Sequence, residues 1–160
     1  MSVMMETAQS DQNNQNSVAQ FSQSAPQHRI KRIGARPLIF EGTELAMAMS
    51  FTPSLPYWYE LNLYRTAESN VVAAVRLFYQ SEDQEDTVRA WECGSLDEAV
   101  EKLARYDAAD DVQLTLNPAM NEGAAAELAA QAMALRAEVK AYRSHYASLI
   151  GEFLFDLENE

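Results

Sequence analysis

Three segments in which apolar residues alternate with other residues constrain the fold of this chain more than any other feature. They read "YWYELNLYRT" at 57–66, "VVAAVRLFYQ" at 71–80 and "TVRAWEC" at 87–93. A period of two, with aromatic and β-branched residues enriched, is typical of half-buried β-strands. Because short polar turns separate the three segments, they predict an antiparallel meander of at least three strands.

A further strand region precedes this meander, in "RPLIFEGTELAMAMSF". Gly42 permits a turn or a bulge within it. The pattern of residues 45–49 fits either a strand or a short helix, because so short a segment does not show its period. Pro53 and Pro56 then end the region, since neither proline can donate a hydrogen bond to a sheet.

Residues 95–106 predict an α-helix that follows the meander. Ser95 suits the N-cap position, and Glu98 three residues later completes a capping box. The apolar residues of this segment recur at helical spacing and form one stripe, which we expect to pack on the sheet. Residues 36–118 are therefore predicted to form an antiparallel sheet with the capped helix packed on it, within an α+β domain of about residues 36–157.

Residues 121–157 predict a second, much longer amphipathic helix. Its apolar residues recur at alternating intervals of four and three, the spacing of a heptad seam. The residues expected at a contact between two helices are Leu128, Leu135, Val139, Tyr142, Tyr146 and Leu149. Three outcomes fit this pattern: the helix folds back over the sheet, pairs with a second subunit, or breaks at Gly123 or Gly151. Glu138 and Arg143 have the spacing of an ion pair between two such helices.

The N-terminal residues 1–35 are predicted to be a tail that ends in a basic linker. Residues 1–27 are rich in Gln, Asn and Ser. Such a composition buries too little apolar surface to offset the entropy of ordering, so disorder is expected. The following segment "RIKRIGAR" holds 4 of the 12 basic residues of the chain. It predicts a solvated linker or, alternatively, an electrostatic latch onto the acidic body or an anionic partner.

The formal net charge of −12 bounds the partners of the protein. Residues 37–160 carry 8 basic and 22 acidic residues, so this body repels phosphate backbones and favours basic proteins. Direct binding of nucleic acid by the body is not expected. No uninterrupted apolar run is longer than that of residues 71–75, which is far shorter than the roughly 20 residues of a membrane span. A single cysteine, Cys93, forms no intramolecular disulfide, and a cytoplasmic protein is expected.

The residues that usually carry catalytic or cofactor chemistry are scattered in this sequence. The 5 glycines are isolated from one another, which argues against a phosphate-binding loop. His28, Cys93 and His145 lie far apart, which argues against a structural zinc site. Cys93 precedes a helix start, where a thiol can be activated, but a small residue at a strand end is the simpler interpretation. We expect neither a cofactor nor a metal, and no catalytic residues.

Two groups of apolar residues are predicted to bind a partner. Trp58, Tyr64 and Phe78 share the sheet face opposite to Tyr59, which is too apolar for plain exposure to solvent. At the end of the long helix, "SLIGEFLFDLENE" is apolar on nearly every side. Its residues Phe153, Leu154, Phe155 and Leu157 are expected to contact another subunit or a partner, or else to cap the face of the first group.

A non-catalytic protein–protein interaction module is the function that these features favour, as an adaptor, a chaperone-like protein or a regulatory subunit that forms a homodimer. One alternative is a DNA mimic, whose carboxylates imitate phosphates against a nucleic-acid-binding protein. The carboxylates proposed for this role belong to Glu82, Asp83, Glu85, Asp86, Asp97, Glu98, Asp107, Asp110 and Asp111. The other alternative is an enzyme that uses paired carboxylates from separate strands.

Overall fold

A five-stranded antiparallel sheet and a long C-terminal helix form the architecture of the protein. The computed structural model describes residues 25–113 and 123–159. Its elements are β1 (Gln27–Arg32), β2 (Ala35–Met49), β3 (Tyr57–Thr66), β4 (Val71–Tyr79), β5 (Thr87–Cys93), α1 (Leu96–Arg105), a short 3-10 helix (Ala108–Asp111) and α2 (Ala124–Glu158). The strands follow one another in sequence order across the sheet. The predicted α+β class, with its meander, capped helix and long C-terminal helix, is confirmed.

Some expectations fall on residues outside this description. They concern most of the predicted tail, at residues 1–24, and the segment 114–122, which joins the sheet to the long helix. The first residues of the predicted helix 121–157 belong to that segment, and α2 begins at Ala124.

The strands β3, β4 and β5 are in continuous register. Tyr57 pairs with Tyr79 at one end of the β3–β4 ladder, and Arg65 pairs with Val71 at the other. Paired residues in antiparallel strands point to the same face. The odd-numbered residues of β3 and β4 therefore share one face, which we call the helix face because both α-helices pack on it.

The helix face holds the larger core of the protein. Its sheet residues Tyr59, Leu61 and Leu63 are fully buried. From the helices, Ala99 and Leu103 of α1 and four residues of α2 complete the core. The α1 helix begins as predicted, because the Ser95 hydroxyl accepts a hydrogen bond from the Glu98 amide at 3.2 Å. The Glu98 carboxylate in turn accepts one from the Gly94 amide at 3.0 Å.

A hairpin of β1 and β2 covers part of the opposite face, which corrects the prediction that residues 28–35 are a basic linker at the end of the tail. Ile30 of β1 is only 2% exposed and packs in a second core with Tyr64, Val72, Ala74 and Ala90. The His28 ring, expected in a flexible tail, stacks on Phe40 at 5.1 Å. The charges conceal a strand pattern here, because Arg29 and Lys31 point outward while Ile30 points inward.

The second strand is one continuous element, so residues 45–49 are strand rather than helix. Its first part pairs with β1 up to Glu41, and its second part pairs with β3 from Gly42 onward. A Cβ atom at Gly42 would lie 2.6 Å from the Arg65 carbonyl oxygen, so glycine lets β2 approach β3 closely there. The ladder is irregular between Glu44 and Ala46, which is the bulge expected in this region.

The long helix divides into two parts with different environments. It runs unbroken through Gly151 for 35 residues, about 52 Å at 1.5 Å per residue. Its buried residues are Tyr142, Tyr146, Leu149 and Phe153, all in the C-terminal part. Residues 124–141 contain no buried residue, and we call this segment the arm. The predicted folding back onto the sheet therefore applies only to the part of α2 that follows the arm.

The second core tests whether the hairpin is an integral part of the fold. Ile30→Ala should lower the free energy of unfolding by about 2–5 kcal/mol, because it leaves a cavity between the hairpin and the sheet. Ile39→Ala, on the same hairpin but 55% exposed, should change it by less than about 0.5 kcal/mol. Urea unfolding followed by far-ultraviolet circular dichroism measures both. Equal effects of the two substitutions would contradict the assignment of residues 27–32 to the folded domain.

Candidate interaction surfaces

A buried carboxylate joins the sheet to the segment after α1. The Oδ2 atom of Asp111 accepts hydrogen bonds from the Tyr59 hydroxyl at 2.7 Å and the Tyr106 hydroxyl at 2.6 Å. A guanidinium nitrogen of Arg89 lies 3.6 Å from the other carboxylate oxygen. Burial raises the pKa of Asp111, while the two hydrogen bonds and the charge of Arg89 act in the opposite direction. Asp111 is thus a structural acceptor inside the protein.

Two tyrosines and a histidine attach α2 to this cluster. The Tyr142 ring lies flat on Tyr57, with centroids 4.0 Å apart and planes 10° apart. The Tyr146 ring contacts Tyr59 edge-on at 5.4 Å. The His145 ring forms a 2.7 Å hydrogen bond with the Ser50 hydroxyl at the end of β2. Tyr57 is the first residue of β3 and therefore lies at one end of the sheet. The residues of α2 that precede Tyr142 extend away from the sheet at this end.

Arg143 forms an ion pair within its own chain. Its Nε and one Nη atom both donate to the carboxylate of Asp107, each at 2.8 Å. This pairing holds the pKa of Asp107 at about 2. The sequence predicted instead an ion pair of Arg143 with Glu138 of a second helix, which this geometry corrects. The bidentate contact adds a further attachment of α2 at the base of the arm.

The arm presents the unburied half of the heptad seam. Leu128 is 42% exposed, and Leu135 and Val139 are half-buried. Nine of the 18 arm residues are Ala, the strongest helix former, which helps to explain why this segment is helical although none of its residues is buried. Its charged residues are Glu127, Arg136, Glu138 and Lys140, so its net charge is zero.

A second apolar surface lies on the sheet face opposite to the helices, where the β1–β2 hairpin ends. It consists of Met47, Met49, Phe51, Trp58 and Phe78, and we call it the β2 patch. The Trp58 and Phe78 rings stack at 5.5 Å, and Phe51 meets Trp58 edge-on at 5.2 Å. Phe51 is 53% exposed. The sequence-based prediction included Trp58 and Phe78 but missed the rest, whose strand alternation was already visible.

The other residues predicted to bind partners are placed differently. Tyr64 lies in the second core and Phe153 in the helix-face core, so neither is accessible in this structure. Leu154 and Leu157 are half-buried, and Phe155 is 66% exposed. Because Phe153 packs on the helix face, the end of α2 does not cap Trp58 and Phe78. The alternative prediction that it caps them is wrong.

The seam residues that follow the arm are also internal. Tyr142, Tyr146 and Leu149 are at most 7% exposed and contact the sheet of their own chain. Only Leu128, Leu135 and Val139 of the predicted oligomer seam therefore lie where another protein can reach them.

The carboxylates considered for DNA mimicry lie in three separate places. Glu82, Asp83, Glu85 and Asp86 are exposed in the β4–β5 turn. Asp97 and Glu98 belong to the first turn of α1. Asp107, Asp110 and Asp111 surround the 3-10 helix, where they contact Arg143 and Arg89. Of these nine carboxylates, the four in the turn form the largest exposed group for which the structure shows no ion pair.

An open groove of about 520 Å³ separates β5 from α1. Arg89, Trp91, Lys102 and Tyr106 line it together with carboxylates, so both signs of charge are present. The guanidinium of Arg89 lies over the Tyr106 ring at 5.5 Å. Cys93, at the end of β5, is buried, and burial raises the pKa of its thiol above the ordinary range, which disfavours the nucleophilic thiolate.

Comparison with protein families, with curated proteins and with solved structures found no match. Among the described residues, no group of His, Cys, Asp or Glu side chains is arranged to hold a metal ion. In residues 25–113 and 123–159, none of the helices combines the length and apolarity that a membrane crossing requires.

The buried carboxylate gives a test of how the cluster is held together. Asp111→Ala should lower the free energy of unfolding by about 1–3 kcal/mol, because the fully buried Tyr59 hydroxyl loses its acceptor. Asp111→Asn, which keeps an acceptor oxygen, should lose less. Asp110→Ala removes an exposed neighbour and serves as the control in urea unfolding. If it cost as much as Asp111→Ala, the hydrogen bonds to Asp111 would not be the cause.

The partial burial of His145 predicts a pH dependence of stability. Burial lowers the pKa of His145 from its usual 6.5. The unfolded chain therefore takes up a proton first as the pH falls. The contribution to stability is complete above about pH 6.5 and is lost as the pH falls through the folded-state pKa. In urea unfolding at pH 7.5 and 5.5, the wild-type protein should lose more stability than His145→Gln. Equal losses would contradict this linkage.

Proposed function

We propose that this protein is a non-catalytic protein–protein interaction module, acting in the cytoplasm as an adaptor, a chaperone-like protein or a regulatory subunit. The structure of the arm is the observation that supports the proposal most directly. It is an 18-residue helical segment without a buried residue, and Leu128, Leu135 and Val139 form an apolar line along it.

The arm has the physical properties of a docking element. Burying a Leu or Val side chain completely contributes about 1.5–3 kcal/mol, so the three seam residues offer a useful driving force. The helix is already formed in the free chain, so a partner need not offset the entropy of ordering it. An amphipathic helix that meets a partner helix or groove through residues at this spacing is a recurring mode of recognition.

The anchored end of α2 supports the same proposal. Tyr142, Tyr146 and the ion pair of Arg143 with Asp107 hold the helix on the sheet. A rigid attachment gives the arm a defined direction, and a preorganised surface loses less entropy on binding. The β2 patch is a further candidate contact surface, because Met and aromatic residues are enriched in interfaces.

The charges indicate which proteins fit each surface. The arm has no net charge, so its docking depends on apolar contact. The β4–β5 turn, with its four carboxylates, favours a basic protein. We include a homodimer among the expected states, because the neutral arm can approach a copy of itself without net repulsion.

Leu128→Glu combined with Leu135→Glu tests the arm. The two charges should abolish self-association or partner capture, because burying an unpaired carboxylate is costly. We expect the mass from light scattering to fall to that of one chain, about twofold, if the wild-type protein is dimeric. Capture of identified partner proteins in a pull-down should fall in parallel.

The matched control is Ala130→Glu combined with Ala137→Glu. Both positions are exposed on the side of the arm away from the seam, and the added charge is the same. Glu is a good helix former, so both double variants should keep their circular dichroism spectrum. If the seam variant kept the mass and the partners of the wild-type protein, the arm would not be a docking element.

A further inference from the structure

We infer that residues 20–24 of this chain continue β1 as a strand along the open edge of β2, with Ser22 beside Met47. The inference does not depend on the arm. It follows from three features of the described residues: the free edge of β2, the point at which the chain enters the sheet, and the small side chains of β2 on the helix face.

The second half of β2 has a neighbouring strand on one side only. Its pairing with β3 extends to Met49. On its other side, β1 pairs with β2 only as far as Glu41. Residues 43–49 therefore form a free edge in the part of the chain that the structure describes. This edge contains no proline and a single charge, at Glu44, so it lacks the features that usually keep an exposed edge from pairing.

The hydrogen bonds of β2 show which amides lie on this edge. The Ser50 amide donates to the Tyr59 carbonyl of β3 at 2.9 Å. Alternate residues of an antiparallel strand direct their backbone groups to the same side, so Ala48 also faces β3. The amides and carbonyls of Met47 and Met49 then face the free edge, and both side chains are about half exposed. An added strand can therefore form hydrogen bonds along this edge.

The chain enters the sheet where this free edge begins. The Gly42 amide donates to the Pro26 carbonyl at 3.0 Å. Pro26 has no N–H to return, and the ring of His28 donates to the Gly42 carbonyl at 3.0 Å in its place. Because β1 runs antiparallel to β2, the residues before Pro26 are directed along β2 toward Met49. The residue before a proline favours an extended conformation, which keeps this direction.

The bulge in β2 sets the register of the added strand. The register of β1 on β2 starts with Gln27 opposite Glu41. Counted from there, with one extra residue of β2 at the bulge, Ser22 comes to lie beside Met47. Both residues then point to the face opposite to the helices, as the even-numbered Ile30 of β1 does. The alternation of β1 is therefore kept through the added strand.

Phe21 gives the added strand an apolar contact. In this register it lies beside Ala48 on the helix face, where Ala46 and Ala48 are half-buried against the larger core. Small side chains at the margin of a core leave room for a large neighbour. Phe21 is the only aromatic residue among residues 1–24, so the one large ring of the tail falls where it extends the core.

Two other occupants of the edge fit the structure less well. The connection between residues 113 and 123 starts close to Arg143, which holds Asp107, and must reach the far end of the arm, about 30 Å away. Ten residues span at most about 36 Å, which leaves little length for a path to the edge of β2. The edge of a second copy would meet the chain that enters at Pro26. A tethered segment also has a high effective concentration at the edge.

Amide hydrogen exchange followed by NMR tests this inference on the full chain. In the wild-type protein the amides of Met47 and Met49 should exchange slowly, because the added strand accepts their hydrogen bonds. Gln20→Pro combined with Ser22→Pro disrupts the pairing with β2 and should make both amides exchange at least about tenfold faster. The Ala48 amide faces β3 and should stay protected in both proteins, which shows that the sheet is intact.

The matched control is Asn14→Pro combined with Asn16→Pro, which adds the same two prolines farther from the sheet and should leave the exchange rates unchanged. Fast exchange of both methionine amides in the wild-type protein would overturn the inference. Slow exchange that persists in the first variant would also overturn it, because another segment or molecule would then cover the edge. If the first variant had a lower mass in light scattering than the wild-type protein, the tail would bind a second copy, which contradicts pairing within one chain.

Discussion

The Tyr142 ring lies flat against Tyr57 at the first residue of β3, and this contact sets the direction of the whole C-terminal helix. A helix is stiff over this length, so fixing one part determines where the other part goes. The adjacent Asp111 carboxylate ties Tyr59 and Tyr106 together. Burying that charge is costly, and the two hydroxyls and a guanidinium offset the cost. The polar cluster therefore positions the aromatic surface on which α2 rests.

The basic N-terminal segment protects one face and one edge of the sheet. Its inward residue Ile30 fills the second core, while Arg29 and Lys31 point outward along an edge strand. Outward charges on an edge oppose pairing with other chains. After β1 the chain reaches β5, where the Ile33 amide donates to the Val88 carbonyl and Arg32 donates to that of Ala90. Arg32 thus stabilises the fold, while Arg29 and Lys31 disfavour pairing of this edge with other chains.

The parts of the fold that depend on local pattern could be predicted from the sequence. Alternation identified β3, β4 and β5, and Ser95 with Glu98 identified the start of α1. The role of β1 could not be predicted, because one buried residue among basic ones gives a weak signal. The division of the α2 seam was also hidden. Val139 and Tyr142 belong to the same heptad pattern, and only the position of the sheet separates a buried seam from an open one.

The composition of the arm sets how strongly it can bind another protein. Ala keeps the arm helical and allows close approach, yet it buries little apolar surface, so the association must depend on a few larger residues such as Leu128 and Leu135. Because the arm is about 27 Å long and carries no net charge, a protein bound along it can lie farther from the acidic body than the Debye length of about 8 Å at physiological salt.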